Sequence, residues 1–169
     1  AAGFRLVAAM NPFDAIGTAR ISGAVYDRVC RLSVDYQDAP DEASIVRAAL
    51  PDTGIDDTWL GKVVQVVRAT RTHADVRIGS SVRGAIDTAA VASSLASLRG
   101  ARATDATVGL DAALVALSGR LRLREGCARR AEDIVTELWN DVFATPEEAG
   151  GEQGGEGKAP APMGAASSS

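Results

Sequence analysis

Aromatic residues make up only 4% of this 169-residue chain, cysteine occurs twice and histidine once. Cys30 and Cys127 stand far apart, with no Cys-x-x-Cys, and His73 is the only imidazole. That inventory excludes a zinc site, so no metal ligands are assigned. The cysteine usage fits a reducing compartment, with both thiols behaving as small apolar residues. No apolar run approaches the ~20 residues needed to span a bilayer, and no signal-peptide pattern is present. The expectation is a cytoplasmic protein with no membrane partner. An excess of positive charge is also missing. The net charge is −4, and four glutamates against Lys158 within residues 144–169 account for −3 of it. The body is therefore near neutral, without the basic face of a nucleic-acid binder. The one dense basic cluster, Arg120, Arg122, Arg124, Arg129 and Arg130, reads as a partner or subunit surface before a DNA surface.

What the chain does have is alanine and helical periodicity. Its length suffices for one domain with a real core. Asp41 and Glu42 open a short helix with apolar positions at Ala43, Val46, Ala49 and Leu50, and Pro51 stops it. A longer helix is predicted from about Asp56 to Arg71, with Trp59, Leu60, Val63, Val64 and Val67 on one face. His73 falls in the following loop and is expected to be solvated. Ser80, after a flexible Gly79, is the expected N-cap of a helix reaching about Leu98. Two further helices are predicted over Thr107–Ser118, with Gly119 as a C′ stop, and from Arg130 or Ala131 to Phe143. Between them, Leu121 and Leu123 alternate with arginines, which suits a short extended piece. From Thr145 onward the chain is Gly, Glu, Ala, Pro and Ser, a composition with too little to bury for order.

The most informative stretch is Phe4 to Val29, FRLVAAMNPFDAIGTARISGAVYDRV. Phe4 to Met10 is a near-continuous apolar run, which reads as a strand buried on both faces. Asn11-Pro12 closes it, because proline offers no ladder N–H and holds its predecessor extended. That places the Asn11 amide at the carboxyl end of a strand, where open α/β sheets bind ligands. A helix-compatible segment then presents Asp27-Arg28. Residues 30–36 alternate apolar and polar, and a second strand is expected there. Asn-Pro is also a common turn opener, and Asp-Arg on a helix is more often a solvated pair.

The string AAMNP, IGT and YDRV, in that order, resembles the MoxR branch of the AAA+ ATPases. Further along, Gly79, Ser81 and Arg83 match that family's Gly-x-Ser-Pro-Arg sensor 2, with Val82 in place of proline. Arg68-Ala69-Thr70-Arg71 matches the Ala-Thr-Arg run before it. The resemblance covers residues 4 to about 143. It implies that Asn11 is sensor 1, Arg28 an arginine finger and Arg83 sensor 2. Asn11 and Arg28 would be catalytic, and all three would contact ATP. The residue types suit those roles: an amide both donates and accepts, and a guanidinium stays charged and forks onto phosphate oxygens. Without the resemblance, Ser80 to Asp87 reads more simply as the start of a capped surface helix with a solvated arginine.

The expected fold is mainly α. A remnant of the α/β AAA+ core, two strands and a helix, occupies 1–38. An all-helical lid domain follows over 39–144, then a disordered tail over 145–169. The phosphate loop, Gly-x-x-x-x-Gly-Lys-Ser/Thr, is missing, since Gly61-Lys62 and Gly157-Lys158 lack its context. No strand ends in Asp-Glu to hold magnesium. The expectation is therefore the C-terminal part of a longer ATPase, inactive alone, in which the complete protein would use ATP and Mg2+. The resemblance further implies a homo-oligomeric ring, a hexamer, and von Willebrand A-type domain proteins as partners. Its work would be remodelling or metal insertion in client proteins. Two other classes fit the residues: a non-catalytic helical adaptor, and a helical DNA-binding domain using the 120–130 arginines.

Overall fold

A computed structural model describes residues 3–9 and 22–144. Contacts divide the chain into two units, Ala1–Asp35 and Tyr36–Ser169. The expected disordered tail lies outside the described residues.

The described part of the first unit holds one short helix, α1 (Gly23–Tyr26). The expected strand at Phe4–Met10 does not form over residues 4–9, and the one at 30–36 does not form either. Phe4, Leu6 and Val7 are exposed, and so are Leu32 and Val34. The physical reason is that a strand exists only in a ladder. Apolar content and alternation fix which face would be buried, but backbone N–H and C=O groups need a neighbour strand to pair with. None pairs with these segments among the described residues.

The second unit is a helical assembly, so the mainly α expectation holds. Helix α2 (Ala39–Ala49) begins where the Asp38 carboxylate accepts from the Asp41 N–H at 2.9 Å, with Pro40 in the first turn. Helix α3 (Asp57–Thr72) is capped in the same way, Asp56 accepting from the Trp59 N–H at 2.8 Å. These caps satisfy amide donors that a helix start leaves without intrahelical partners. Strand β1 (Val76–Ile78) follows, then α4 (Val82–Arg99). Helix α4 ends at Gly100, whose left-handed φ of 62° suits a residue without a Cβ. Helix α5 (Ala106–Leu117) leads into a 3-10 turn over Ser118–Arg120. Gly119 is therefore not the left-handed stop that its sequence context suggests. Strand β2 (Arg122–Leu123) and α6 (Ala131–Phe143) complete the unit.

Helix α3 carries the centre of the core. Leu60, Val63, Val64, Val66 and Val67 are all buried, and the helix packs against α2, α4 and α6. Where α4 and α5 meet, the buried positions are largely alanine: Ala85, Ala89, Ala92 and Ala96 on α4, Ala112, Ala113 and Ala116 on α5. Small side chains allow the close approach that the composition suggests. At the other side of α3, Trp139 stacks on Phe143 with centroids 4.0 Å apart, and Trp59 meets Trp139 edge-on at 6.1 Å. Gly109 leaves room for that cluster, since a Cβ there would lie 2.6 Å from the Trp139 ring. Three of the chain's seven aromatic residues thus share one place, where each buries a large area.

Strands β1 and β2 pair antiparallel, Val76 opposite Leu123, with a local irregularity before Ile78 opposite Arg122. The expected extended piece around 121–123 is present. Its pairing ties the link between α3 and α4 to the link between α5 and α6.

Candidate functional site

Helix α4 starts against a buried ionic cluster. Glu42, in the first half of α2, is 1% exposed and accepts from two arginines of α3. Arg68 Nη1 donates to Glu42 Oε2 at 2.9 Å, and Arg71 Nη2 donates to Oε1 at 2.7 Å. The arrangement suits both helices: the carboxylate lies near the N-terminus of α2 and the guanidinium groups near the C-terminus of α3. Arg68 also donates to the Gln37 carbonyl, and the Arg71 guanidinium stacks 3.9 Å from the centroid of the Tyr36 ring. Both arginines were expected only as dipole-favoured cations, and Glu42 only as an N-terminal charge.

Arg71 then reaches the segment that leads into α4. Its Nε donates to the Ser80 carbonyl at 2.8 Å. The Ser80 N–H donates to Thr70 Oγ1 at 2.9 Å, and the Thr70 hydroxyl donates to the Val67 carbonyl at 2.6 Å. Thr70 and Ser80 are both buried, so these bonds form away from water. Gly79 is not a flexible joint here. A Cβ on it would lie 2.7 Å from backbone atoms of Thr70 and Arg71, so only glycine lets the lead-in lie on the last turn of α3. Gly79→Ala should lower stability by about 1–3 kcal/mol, because main chain rather than a side-chain tip must move. Equilibrium urea unfolding measures this, and an unchanged midpoint would show that the lead-in sits further from α3.

Arg83 stands in the first turn of α4, exposed and without a hydrogen bond or ion pair to any described residue. The N-cap is Ser81, one residue later than expected, and its hydroxyl caps nothing. The Gly84 N–H is bonded to the Ser81 carbonyl at 2.9 Å. The amides of Val82 and Arg83 are the donors a helix start leaves without intrahelical partners. The place combines a fixed backbone with an unpaired cation. Arg28, in the first unit, is exposed just after α1, and its Nη1 donates to the Ala24 carbonyl at 2.6 Å. Asn11 lies outside the described residues. Arg28 and Arg83 fall in different units.

Among the described residues no group of three His, Cys, Asp or Glu side chains could hold a metal ion. No phosphate cradle is present, and the described residues fit ATP no further than one arginine offered to an anion. No helix of the described residues is long and apolar enough to cross a membrane.

The arginines of 120–130 are largely engaged within the chain. Arg120 pairs with Asp87, Arg129 with Glu137 and Asp75, and Arg130 with Glu132. His73 is not a solvated loop residue. Its side chain is 11% exposed; Nδ1 accepts from the Asp75 N–H at 3.1 Å, and Nε2 lies 3.4 Å from Glu137 Oε1. An accepting Nδ1 requires the tautomer with its proton on Nε2. The hydrogen bond from Arg129, against a small opposing effect of burial, holds the Glu137 carboxyl below the usual carboxylate range. A depressed folded value contributes stability above the unfolded carboxylate pKa of about 4.3, lost as pH falls through the folded value. Wild type should therefore lose stability relative to Glu137→Gln in that acid window, modestly, because the pair is exposed. Parallel acid-side slopes for the two proteins would contradict this.

Cys30 is exposed and Cys127 half-buried, so only the second approaches the small apolar role expected of both. Comparison of the chain with protein-family models, with curated proteins and with solved structures found no match.

Proposed function

We propose that this chain is the distal part of a MoxR-type AAA+ ATPase, whose helical unit serves as the lid carrying sensor 2. In the complete protein, cytoplasmic and assembled as a ring, ATP binding and hydrolysis would drive remodelling or metal insertion in client proteins. Proteins with von Willebrand A-type domains are the proposed companions. Bound ATP with Mg2+ supplies the phosphoryl group whose release changes subunit conformation. This chain's own residues would orient and stabilise it: Asn11 as the polar sensor, Arg28 as the finger and Arg83 as the cation on the lid.

One observation carries the reading. The residue that the motif order singles out as sensor 2, Arg83, is exposed and has no partner among the described residues, at the start of a helix whose lead-in is clamped. An arginine retained without a partner on a fixed backbone suits an anion brought by another domain. Most other arginines of the helical unit hold a carboxylate or a carbonyl. The adaptor reading predicts instead that Arg28 and Arg83 are dispensable.

Reading the gene immediately upstream of the Ala1 codon tests the proposal. The expected result is an open frame encoding Gly-x-x-x-x-Gly-Lys-Ser/Thr and then an apolar strand ending in Asp-Glu. An in-frame start codon without that loop would overturn it. Purified on its own, this chain should release no phosphate from ATP above a mock-purified control, because it offers no cradle for the β- and γ-phosphates.

A further inference from the structure

The β1–β2 ribbon has two chemically different faces. Val76 and Leu121 are buried and Leu123 is half-buried, so one face belongs to the core. Side chains alternate along a strand, which sends Arg122 and Arg124 to the other face. Ile78 pairs with Arg122 across the irregularity at Arg77, and the Arg124 N–H is bonded to the Asp75 carbonyl, so Arg77 enters the ribbon between these two contacts. All three arginines are exposed. Arg122 donates to the Gly119 carbonyl and Arg124 to the Ala74 carbonyl, while Arg77 has no hydrogen-bond partner among the described residues. None is within ion-pair distance of a carboxylate among the described residues, in contrast to Arg120, Arg129 and Arg130. The carboxylates nearest in sequence do not neutralise them: Asp75 is held by Arg129, and Glu125 pairs with none of the three. Like charges side by side on a two-stranded ribbon repel.

We propose that this arginine face docks the acidic stretch Glu147–Glu156 of the same chain, a segment outside the described residues. That stretch holds Glu147, Glu148, Glu152 and Glu156 and no positive residue. Its reach is sufficient. Helix α6 starts at Ala131, just after the ribbon, and its 13 residues run about 20 Å at 1.5 Å each. The chain must return over that length, and 12 residues from Ala144 to Glu156 span up to about 40 Å when extended. The contact is electrostatic and covers the face without adding apolar burial, so the fold does not depend on it. The proposal does not rest on the ATPase reading.

Paramagnetic relaxation in the full chain tests it. A nitroxide is attached at Gln153→Cys in a Cys30→Ser, Cys127→Ser background, and amide signals of residues 76–78 and 122–124 are followed. At about 10 mM ionic strength, where the screening length is ~30 Å, those amides should lose most of their intensity. The loss should disappear near 1 M salt, where that length is ~3 Å. It should also disappear when Glu147, Glu148, Glu152 and Glu156 are replaced together by Gln, and persist on dilution as an intramolecular contact does. No selective loss at low salt would overturn the proposal, as would a loss that survives the Glu→Gln changes. If the labelled stretch stays away while duplex DNA shifts the same amides, the face is a nucleic-acid surface and the proposal fails.

Discussion

Glu42→Ala should cost the helical unit about 3–5 kcal/mol, the loss expected when one member of a buried ion cluster is removed and its partners stay charged. Glu42 is almost wholly inaccessible, and Arg71 is 12% exposed. Arg68, at 37%, keeps enough water to recover part of its loss, so Arg71 sets most of the effect. A domain of this size should show a thermal midpoint lowered by more than about 10 °C. Glu42→Gln keeps the shape and one hydrogen bond but leaves both guanidinium groups without their charge partner, and should fall between wild type and Ala. The cycle Glu42→Ala, Arg71→Met and the double variant, each unfolded in urea, separates the pair from its surroundings. Loss of one partner should be worse than loss of both, because an apolar replacement strands no charge. A single-variant loss under about 1 kcal/mol would place the cluster with ordinary surface pairs and remove it as the clamp on α4.

The second large effect belongs to the proposed function. In the complete ATPase, Arg28→Ala should lower turnover by on the order of 10³–10⁵, the cost of removing an arginine finger where it has been dissected. Under the proposed function the finger would serve the neighbouring subunit, whereas Arg83 would serve the pocket of its own chain. Arg28→Ala subunits then keep a sound pocket but lend no finger. Subunits lacking the phosphate-loop lysine have a dead pocket and still lend Arg28. Mixing the two inactive proteins should restore part of the activity, and mixing with Arg83→Ala subunits should restore little. Mixed rings of native size that remain dead with Arg28→Ala would show that Arg28 does not act in trans.

The helices were legible because their signals are local. Asp38 and Asp56 cap them, Pro40 and Pro51 bracket α2, and the apolar residues of α3 from Trp59 to Val67 recur at helical spacing over about two and a half turns. Amphipathic spacing also named part of the core: Val46, Trp59, Leu60, Val63, Val64 and Val67 are all buried. Boundaries moved by a residue or so, as with Ser81 in place of Ser80 as the cap of α4. Motif order singled out Arg83, which is exposed and has no partner among the described residues. Asn11 lies outside the described residues, and Arg28 is exposed on a carbonyl of its own turn.

What the sequence by itself determined is what depends on neighbours within about one turn: helix existence, helix ends, the apolar faces and a chain without a phosphate loop. The tertiary structure decided the rest, because each remaining feature pairs residues that are remote in sequence. Glu42 meets Arg68 and Arg71 across 26 and 29 positions, and His73 meets Glu137 across 64. No local spacing marks such pairs, since a buried carboxylate near a helix start reads the same as an exposed one until α3 packs over it. Gly79 shows the same limit: its sequence context suggests freedom, and its contact with Thr70 and Arg71 shows constraint. The apolar run at Phe4–Ala9 is the converse case, in which a strong local pattern forms no strand because a ladder needs a partner that local sequence cannot supply.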